Sequence, residues 1–427
     1  MLTREENATL TRTGRGTPAG ELLRRYWQPV ALSQELPLGG ARKAVRIMGE
    51  DLVLLRDEAG KVGLLGLHCS HRGADLSYGR VEGGGLRCLY HGWLYDVEGH
   101  CLEQPGEPPA NRFREKVRHL AYPCQEAANI IFAYMGPGQP PLLPAYEILN
   151  VPEEYRFVFK VFSDCNYLQG NEGNIDPVHL SFLHRFLDES LASSSRPTPY
   201  RTVRGSNDSP NRLFGHDTAP AIEVEETDFG LRISTWRSLE DGAGYLRISN
   251  FVMPNLSAVP GETQGGGYLV NWHVPMDDES HWKYMIVFSR EAPLDKSKFM
   301  QRYTAEINSD FLPKRNRANR YLQDRTEMQN KTFSGMGLFF AEHDLFVSES
   351  MGPIADRTQE HLGSTDRPII AARRQMLQAI RQVQEGRNPL HVIRDPAANR
   401  LSHLIVLSEV VSGGMDWKSY WKTKVKN

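Results

Sequence analysis

Two groups of residues in this chain have the types and spacing of metal ligands. The first is Cys69-Ser-His71, followed after residues 72–87 by Cys88-Leu-Tyr-His91. Two thiolates and two imidazoles suit zinc or an iron–sulfur cluster. The second is Asp176-Pro-Val-His179, with His184 further along the same stretch. One helix face cannot easily hold both histidines. At about 100° per residue they fall ~140° apart around the axis. A zinc-protease pair sits four apart, on one face. Either these histidines do unrelated jobs, or the helix bends or passes through a π-bulge where they converge. Asp176 precedes Pro177, which reads as an N-cap followed by a first-turn proline.

The elements around these residues divide the chain. Its 427 residues suffice for two or more domains. With 40% hydrophobic and 24% charged residues it has the composition of a globular protein. Fifty basic side chains nearly balance 52 acidic ones, so no global field favours nucleic acid or an anionic membrane. MLTREENATLTRTGRG lacks the apolar core of a secretory signal, and no apolar run is long enough to span a bilayer. The expected location is cytoplasmic. Five cysteines are too few for a disulfide scaffold, and Cys101, Cys124 and Cys165 read as structural. Residues 1–27 form an N-terminal helical segment, in which Thr17 caps a helix and Leu22, Leu23 and Tyr26 share its apolar face. Residues 28–140 show short apolar runs between Gly, Asp and Pro turns, an all-β texture that ends in the Gly/Pro-rich 136–144. Residues 141–427 mix strand and helix signals, an α+β domain on an antiparallel sheet. Its clearest helix is RPIIAARRQMLQAIRQVQEG, with Ile370, Leu377, Ile380 and Val383 as its stripe. Residues 187–212, rich in Ser, Pro, Asn and Arg, read as a long loop.

Zinc modules usually pair cysteine with cysteine. Here each cysteine pairs with a histidine, the division of a Rieske [2Fe–2S] cluster between its two irons. The stretch HRGADLSYGR…GLRCLYHGW resembles the Rieske motif of ring-hydroxylating oxygenases, specifically the phthalate dioxygenase branch. Ser70 stands where that branch more often has proline. Respiratory Rieske proteins carry two extra cysteines beside the cluster, which this chain lacks at Gly73–Asp75 and Leu89–Tyr90.

The resemblance covers nearly the whole chain and implies the rest. Cys69, His71, Cys88 and His91 hold the cluster. His179 and His184 belong to a mononuclear Fe(II) site, a facial triad with positions open for O2. KTFSGMGLFFAEHDLFVSES, residues 331–350, resembles the family's C-terminal segment, which makes Asp344 the third ligand. Glu342, His343, Glu349 and Asp356 are its rivals. His343 stands where the branch often has glutamine. The implied fold is an all-β Rieske domain followed by a helix-grip catalytic domain, an antiparallel sheet surrounded by helices. The implied assembly is a homotrimer or stacked trimers, in which Asp176 links His179 to His91 of the partner subunit and carries electrons between the centres.

No nicotinamide or flavin motif is present, so an NADH-dependent reductase carrying flavin and a [2Fe–2S] cluster is the implied partner. The implied reaction uses O2 to dihydroxylate an aromatic carboxylate such as a phthalate or benzoate. The alternatives are O-demethylation of an aryl ether, and an electron carrier or sensor without oxygen chemistry. A carboxylate calls for an arginine. Arg247 in GYLRISNFVMP is the candidate, ahead of Arg201 and Arg204. Leu180, Phe251 and Phe339 are candidate pocket walls.

Overall fold

The computed structural model describes residues 1–194, 203–261 and 266–425. Two short helices open the chain. Arg4–Thr11 is closed by a capping box between Thr3 and Glu6. In Pro18–Leu23, Thr17 accepts a hydrogen bond from Gly20 N–H. This second helix stops at Leu23, so buried Tyr26 lies in the turn that follows.

From Gln28 onward the chain makes small antiparallel sheets. The strand Gln28–Leu32 pairs with Ile130–Ala133, which pairs with Cys124–Ala127. Ala41–Ile47, Glu50–Arg56, Val62–Gly66 and Ala121–Tyr122 make a second sheet. Arg80–Glu82, Gly85–Arg87, Leu94–Asp96 and Cys101–Glu103 make a third. The two loops that carry the four candidate ligands make the same turn. Gly73 N–H donates to Cys69 O at 2.8 Å, and Gly92 N–H donates to Cys88 O at 3.0 Å. Both glycines hold φ near +75° (+76° and +73°), which explains the residue type at each. Leu65, Leu76, Leu86 and Tyr95 pack beneath the loops.

The second body is one eight-stranded antiparallel sheet. Its order is Arg156–Ser163, His281–Phe288, Leu269–Pro275, Leu256–Val259, Gly244–Val252, Gly230–Ser238 and Ala221–Glu226, with Leu407–Val411 also pairing on Gly244–Val252. The helix Tyr167–Ile175 packs on this sheet, and Phe340–Ser350 packs on that helix. An antiparallel sheet gripped by helices, behind an all-β domain, is the fold implied by the sequence.

Two sequence expectations need correction. The helix Arg367–Gln384 is present, but Ile370 is 46% exposed. Ile380 and Val383 are buried as expected and Leu377 is half-buried against the core, and the buried face continues through Ala372, Met376 and Ala379 rather than Ile370. Two arginines drew the apparent stripe away from it, because buried Arg373 belongs to an ion-pair cluster and exposed Arg374 does not. Of the segment 187–212 after the histidines, residues 195–202 lie outside the described residues, and the described part is not plain loop. It contains the short helices Glu189–Ser194 and Pro210–His216, the second capped by Ser209. Among the described residues no helix is long and apolar enough to cross a membrane.

Candidate metal centres

The four ligands predicted near the N-terminus face one another with an inside and an outside. Cys69 and Cys88 are buried, His71 is half-buried and His91 is exposed. The two imidazole centroids lie 4.5 Å apart. His71 also lies flat against Trp93, at 4.5 Å and 4°. Cys69 Sγ is 3.2 Å from the Tyr95 hydroxyl. Burial pushes the Cys88 thiol up, against the pull of the Tyr90 backbone. A metal that replaces the proton removes that cost. Among the described residues these four do not gather at one point, as a lone tetrahedral ion would need. Buried thiols at one end and outward imidazoles at the other fit a [2Fe–2S] cluster whose histidine-bound iron faces solvent. Ser70 has its own function in this arrangement. His119 Nε2–H donates to Gly66 O at 2.8 Å, and the Ser70 hydroxyl lies 2.7 Å from Nδ1, which is left to accept from it.

The histidine stretch differs from its sequence reading. There is no bent helix or π-bulge carrying both rings. The helix Tyr167–Ile175 ends at Asp176, and Pro177 cannot continue its ladder. Asp176 closes that helix rather than opening the next, and its carboxylate accepts from Val178 N–H at 2.7 Å. His179 begins the short 3-10 turn His179–Ser181, and His184 follows in irregular chain. This break is what frees the two rings to converge. Buried Arg237 clamps the turn, with Nη2 donating to Pro177 O at 2.7 Å and to Ser181 Oγ at 3.3 Å.

Asp344 joins them from the helix Phe340–Ser350. One potential ligand atom from each of His179, His184 and Asp344 lies within 4.8 Å of the others. His184 Nε2 is 3.0 Å from Asp344 Oδ1. Burial raises the Asp344 carboxyl, and the Lys283 ammonium is the largest of the charges that oppose it, leaving the group below the usual carboxylate range. Lys283 Nζ is 3.4 Å from Asp344 Oδ2, and Asn174 Nδ2 is 3.5 Å from the same oxygen. Behind Asn174, His273 Nε2 lies at 2.7 Å from Oδ1, and His273 Nδ1 lies 3.0 Å from His281 Nε2. His179 Nδ1 is buried without a hydrogen-bond partner among the described residues, 3.9 Å from Asp176 Oδ2. Two imidazoles and an ionised carboxylate converging in this way fit a divalent iron with open positions.

The rivals of Asp344 are occupied elsewhere. Glu342 lies 3.0 Å from Arg315 Nε, away from the two histidines, and burial beside Glu306 pushes its carboxyl up to about 9. Glu349 accepts from the Tyr321 hydroxyl at 2.7 Å. Asp356 caps Thr358 N–H at 3.1 Å. His343 lies behind His184, with the two Nδ1 atoms 3.2 Å apart.

The three residues line a recess open to solvent. Leu180, Phe214, Met285 and Phe339 give it apolar walls, and Arg247 reaches it from the sheet. Phe251 does not line it; that ring is wholly buried in the main core. Arg204 pairs with Glu409 at 3.3 Å, and Arg201 lies outside the described residues. Sequence reasoning missed Lys283 and Asn174. A signal for Lys283 was present, since it shares a strand face with Met285 and Val287, where an apolar residue is the rule. Asn174 left none.

Known proteins place the chain. The family description "Rieske [2Fe-2S] domain" matches residues 26–118, and "LigXa C-terminal domain like" matches residues 133–427. The phthalate 4,5-dioxygenase oxygenase subunit of Pseudomonas putida is 35% identical, over 98% of this chain and 95% of its own. The 5,5'-dehydrodivanillate O-demethylase oxygenase subunit of a Sphingobium species is 34% identical, over 94% and 85%. The tert-butanol monooxygenase / tert-amyl alcohol desaturase oxygenase subunit of Aquincola tertiaricarbonis is 40% identical over a shorter span, 64% of this chain and 58% of its own. The terminal oxygenase of carbazole 1,9a-dioxygenase from Nocardioides aromaticivorans shares the fold, with a TM-score of 0.60 at 18% identity over 89% and 98% of the two chains. With both halves matched and full-length relatives of this kind, the chain belongs to the Rieske non-haem iron oxygenases as an oxygenase (alpha) component, an oxidoreductase that uses a Rieske [2Fe–2S] cluster and a mononuclear iron.

Proposed function

We propose that the chain is the terminal component of a system that uses O2 and NADH-derived electrons to cis-dihydroxylate an aromatic carboxylate, such as a phthalate or substituted benzoate. The observation that carries this reading is Arg247 on the wall of the recess that also holds His179, His184 and Asp344. Residues 28–140 would form the cluster domain, with Cys69, His71, Cys88 and His91 as ligands. Residues 141–427 would form the catalytic domain, with iron on His179, His184 and Asp344. When bound, the cluster supplies single electrons and the mononuclear iron supplies O2 activation.

The side chains do the rest. One Arg247 Nη2 donor goes to Pro260 O at 2.9 Å, and the remaining donors of the fork can meet a carboxylate in bidentate fashion. Leu180, Met285 and Phe339 would hold the ring and exclude water. Lys283 and Asn174 hold the second oxygen of Asp344. Asp176 would join His179 to His91 of the partner subunit in a trimer or stacked trimers. Exposed Leu89 and Tyr90 beside His91 support an interface there. Electrons would come from a separate NADH-dependent reductase with flavin and a [2Fe–2S] cluster. Five free cysteines and the NADH supply fit the cytoplasm.

O-demethylation of a methoxylated aromatic is the second reading, because the O-demethylase relative is as similar as the dioxygenase one. A single turnover separates them. The iron-loaded protein is reduced chemically, so that no partner is needed, then given O2 and a panel of benzoates, phthalates, methoxylated aromatics and tertiary alcohols. A product mass gaining two oxygens and two hydrogens from an aromatic acid supports the proposal. Loss of a methylene with release of formaldehyde supports demethylation. Turnover confined to tertiary alcohols overturns both.

A further inference from the structure

The ring of His343 meets His184 in an arrangement that fixes where hydrogen atoms can sit. Its Nε2 lies 2.9 Å from Gly337 O. A carbonyl only accepts, so His343 Nε2 carries the hydrogen. The carbonyl is itself held in place. Gly337 N–H donates to Glu327 Oε1 at 3.0 Å, in a glycine turn at φ +79°. On its other side, His343 Nδ1 lies 3.2 Å from His184 Nδ1. The two ring planes are 17° apart with centroids at 5.3 Å, so with the nitrogens this close the rings lie nearly edge to edge, as an N–H···N bond requires. Both rings are buried, so each must find its partner within this pair, and an imidazole that ligates iron through Nε2 carries its one hydrogen on Nδ1. His343 Nδ1 is then an acceptor, and the hydrogen between the rings belongs to His184 Nδ1. Nε2 of His184 is left with a bare lone pair, 3.0 Å from Asp344 Oδ1. Two acceptors face each other there, which is the electronic requirement for a cation between them.

We propose that His343 is a positioning residue that holds His184 in the Nδ1–H tautomer, directs its Nε2 at the iron, and relays this polarity from the Gly337 carbonyl. The proposal rests on the reading of His184 as an iron ligand. His343 touches neither substrate nor metal in this role. Its alternatives, a third imidazole ligand or plain packing, make different demands. A ligand would have to turn Nδ1 or Nε2 away from its present partner. A packing residue could be replaced by any side chain of similar volume.

The test is Fe(II) affinity by anaerobic chelator competition on the full-length, cluster-loaded protein, with cluster absorbance counting folded molecules. His343→Gln can accept from His184 with its amide oxygen and donate to Gly337 with its nitrogen. His343→Leu fills the space but can do neither, and His343→Met replaces it if the leucine variant folds poorly. The expected result is that the Gln variant stays within about threefold of the parent, while Leu or Met weakens binding roughly 10–100-fold, as for other hydrogen-bond partners of ligating histidines. Parent-like affinity in the Leu or Met variant overturns the proposal, as does a Gln variant as weak as Leu. His184→Ala is the control for the underlying reading. If it binds iron as tightly as the parent, the ligand assignment fails first, and the His343 series then reports on packing alone.

Discussion

Arg247 is where a charged substrate would be told from a neutral one. Its guanidinium lies on the strand Gly244–Val252 and above Phe214, 5.6 Å from the ring centroid. Replacing it by glutamine keeps a donor for Pro260 O but removes the charge and the fork. The expected outcome is a rise in KM of roughly 10–100-fold for an aromatic carboxylate, the ~1.5–3 kcal/mol of a hydrogen bond to a charged group, with kcat changed far less. Steady-state kinetics against a matched aryl amide checks it, because the amide should lose little. An equal loss for both compounds would place Arg247 outside the carboxylate contact. The same residues show what a sequence can reveal. Cys69, His71, Cys88 and His91 form two local pairs, so type and spacing point to their chemistry. Lys283 and Asn174 reach Asp344 only through folding, from another strand and another helix; the apolar alternation around Lys283 marks it as unusual without saying what it meets, and His343, beside Asp344 in sequence, meets His184 only in the fold.

The helix Tyr167–Ile175 decides where the chain breaks before the histidines, so its anchorage matters as much as its end. Glu172 is its buried charge. It accepts from Arg357 Nη2 at 2.8 Å and from Arg373 Nε at 2.6 Å, tying this helix to Arg367–Gln384 and to the segment between. Burial raises the Glu172 carboxyl, and the two guanidiniums outweigh it, leaving it below the usual carboxylate range. A carboxyl depressed in the folded state stabilises the fold above its unfolded value of about 4.5, and that stabilisation is lost as pH falls through the lower folded value. Glu172→Gln leaves two buried guanidiniums without their shared anion and should cost about 3–5 kcal/mol. Thermal unfolding of the parent and variant at pH 7 and at pH 3–4 checks both statements: the gap should be wide at pH 7 and narrow in acid. A gap that stays constant would show that the loss is packing and not charge. This cluster also explains the misread stripe. Arg373 lies on the buried side of its helix because Glu172 and Glu360 await it, a fact of tertiary pairing that an apolar periodicity cannot contain. The break at Asp176–Pro177 was legible in outline, since proline rarely continues a helix. Its consequence, a 3-10 turn carrying His179, depends on Arg237 across the fold.

At the scale of the whole molecule, the question is which cluster feeds which iron. His91 and its exposed neighbours Leu89 and Tyr90 point away from their own domain, while Asp176 lies at the recess beside His179. In the proposed trimer each cluster would serve the next subunit around the ring. Two inactive variants then test the path. Asp176→Asn keeps the cluster but breaks the link, and Cys88→Ser loses the cluster but keeps the catalytic site. In a cyclic trimer with transfer between neighbours, either mixed composition contains a single contact in which an intact cluster faces an intact Asp176. Co-expression at equal levels makes about three quarters of the trimers mixed, each with a third of its sites fed, so about a quarter of the parent activity should return. If each cluster serves its own subunit, every subunit in the mixture carries one defect and no activity returns. Tagging the two variants differently and purifying through both tags isolates the mixed trimers. Their activity should then rise to about a third of the parent's, a value that follows from the ring symmetry and not from the strength of any one contact.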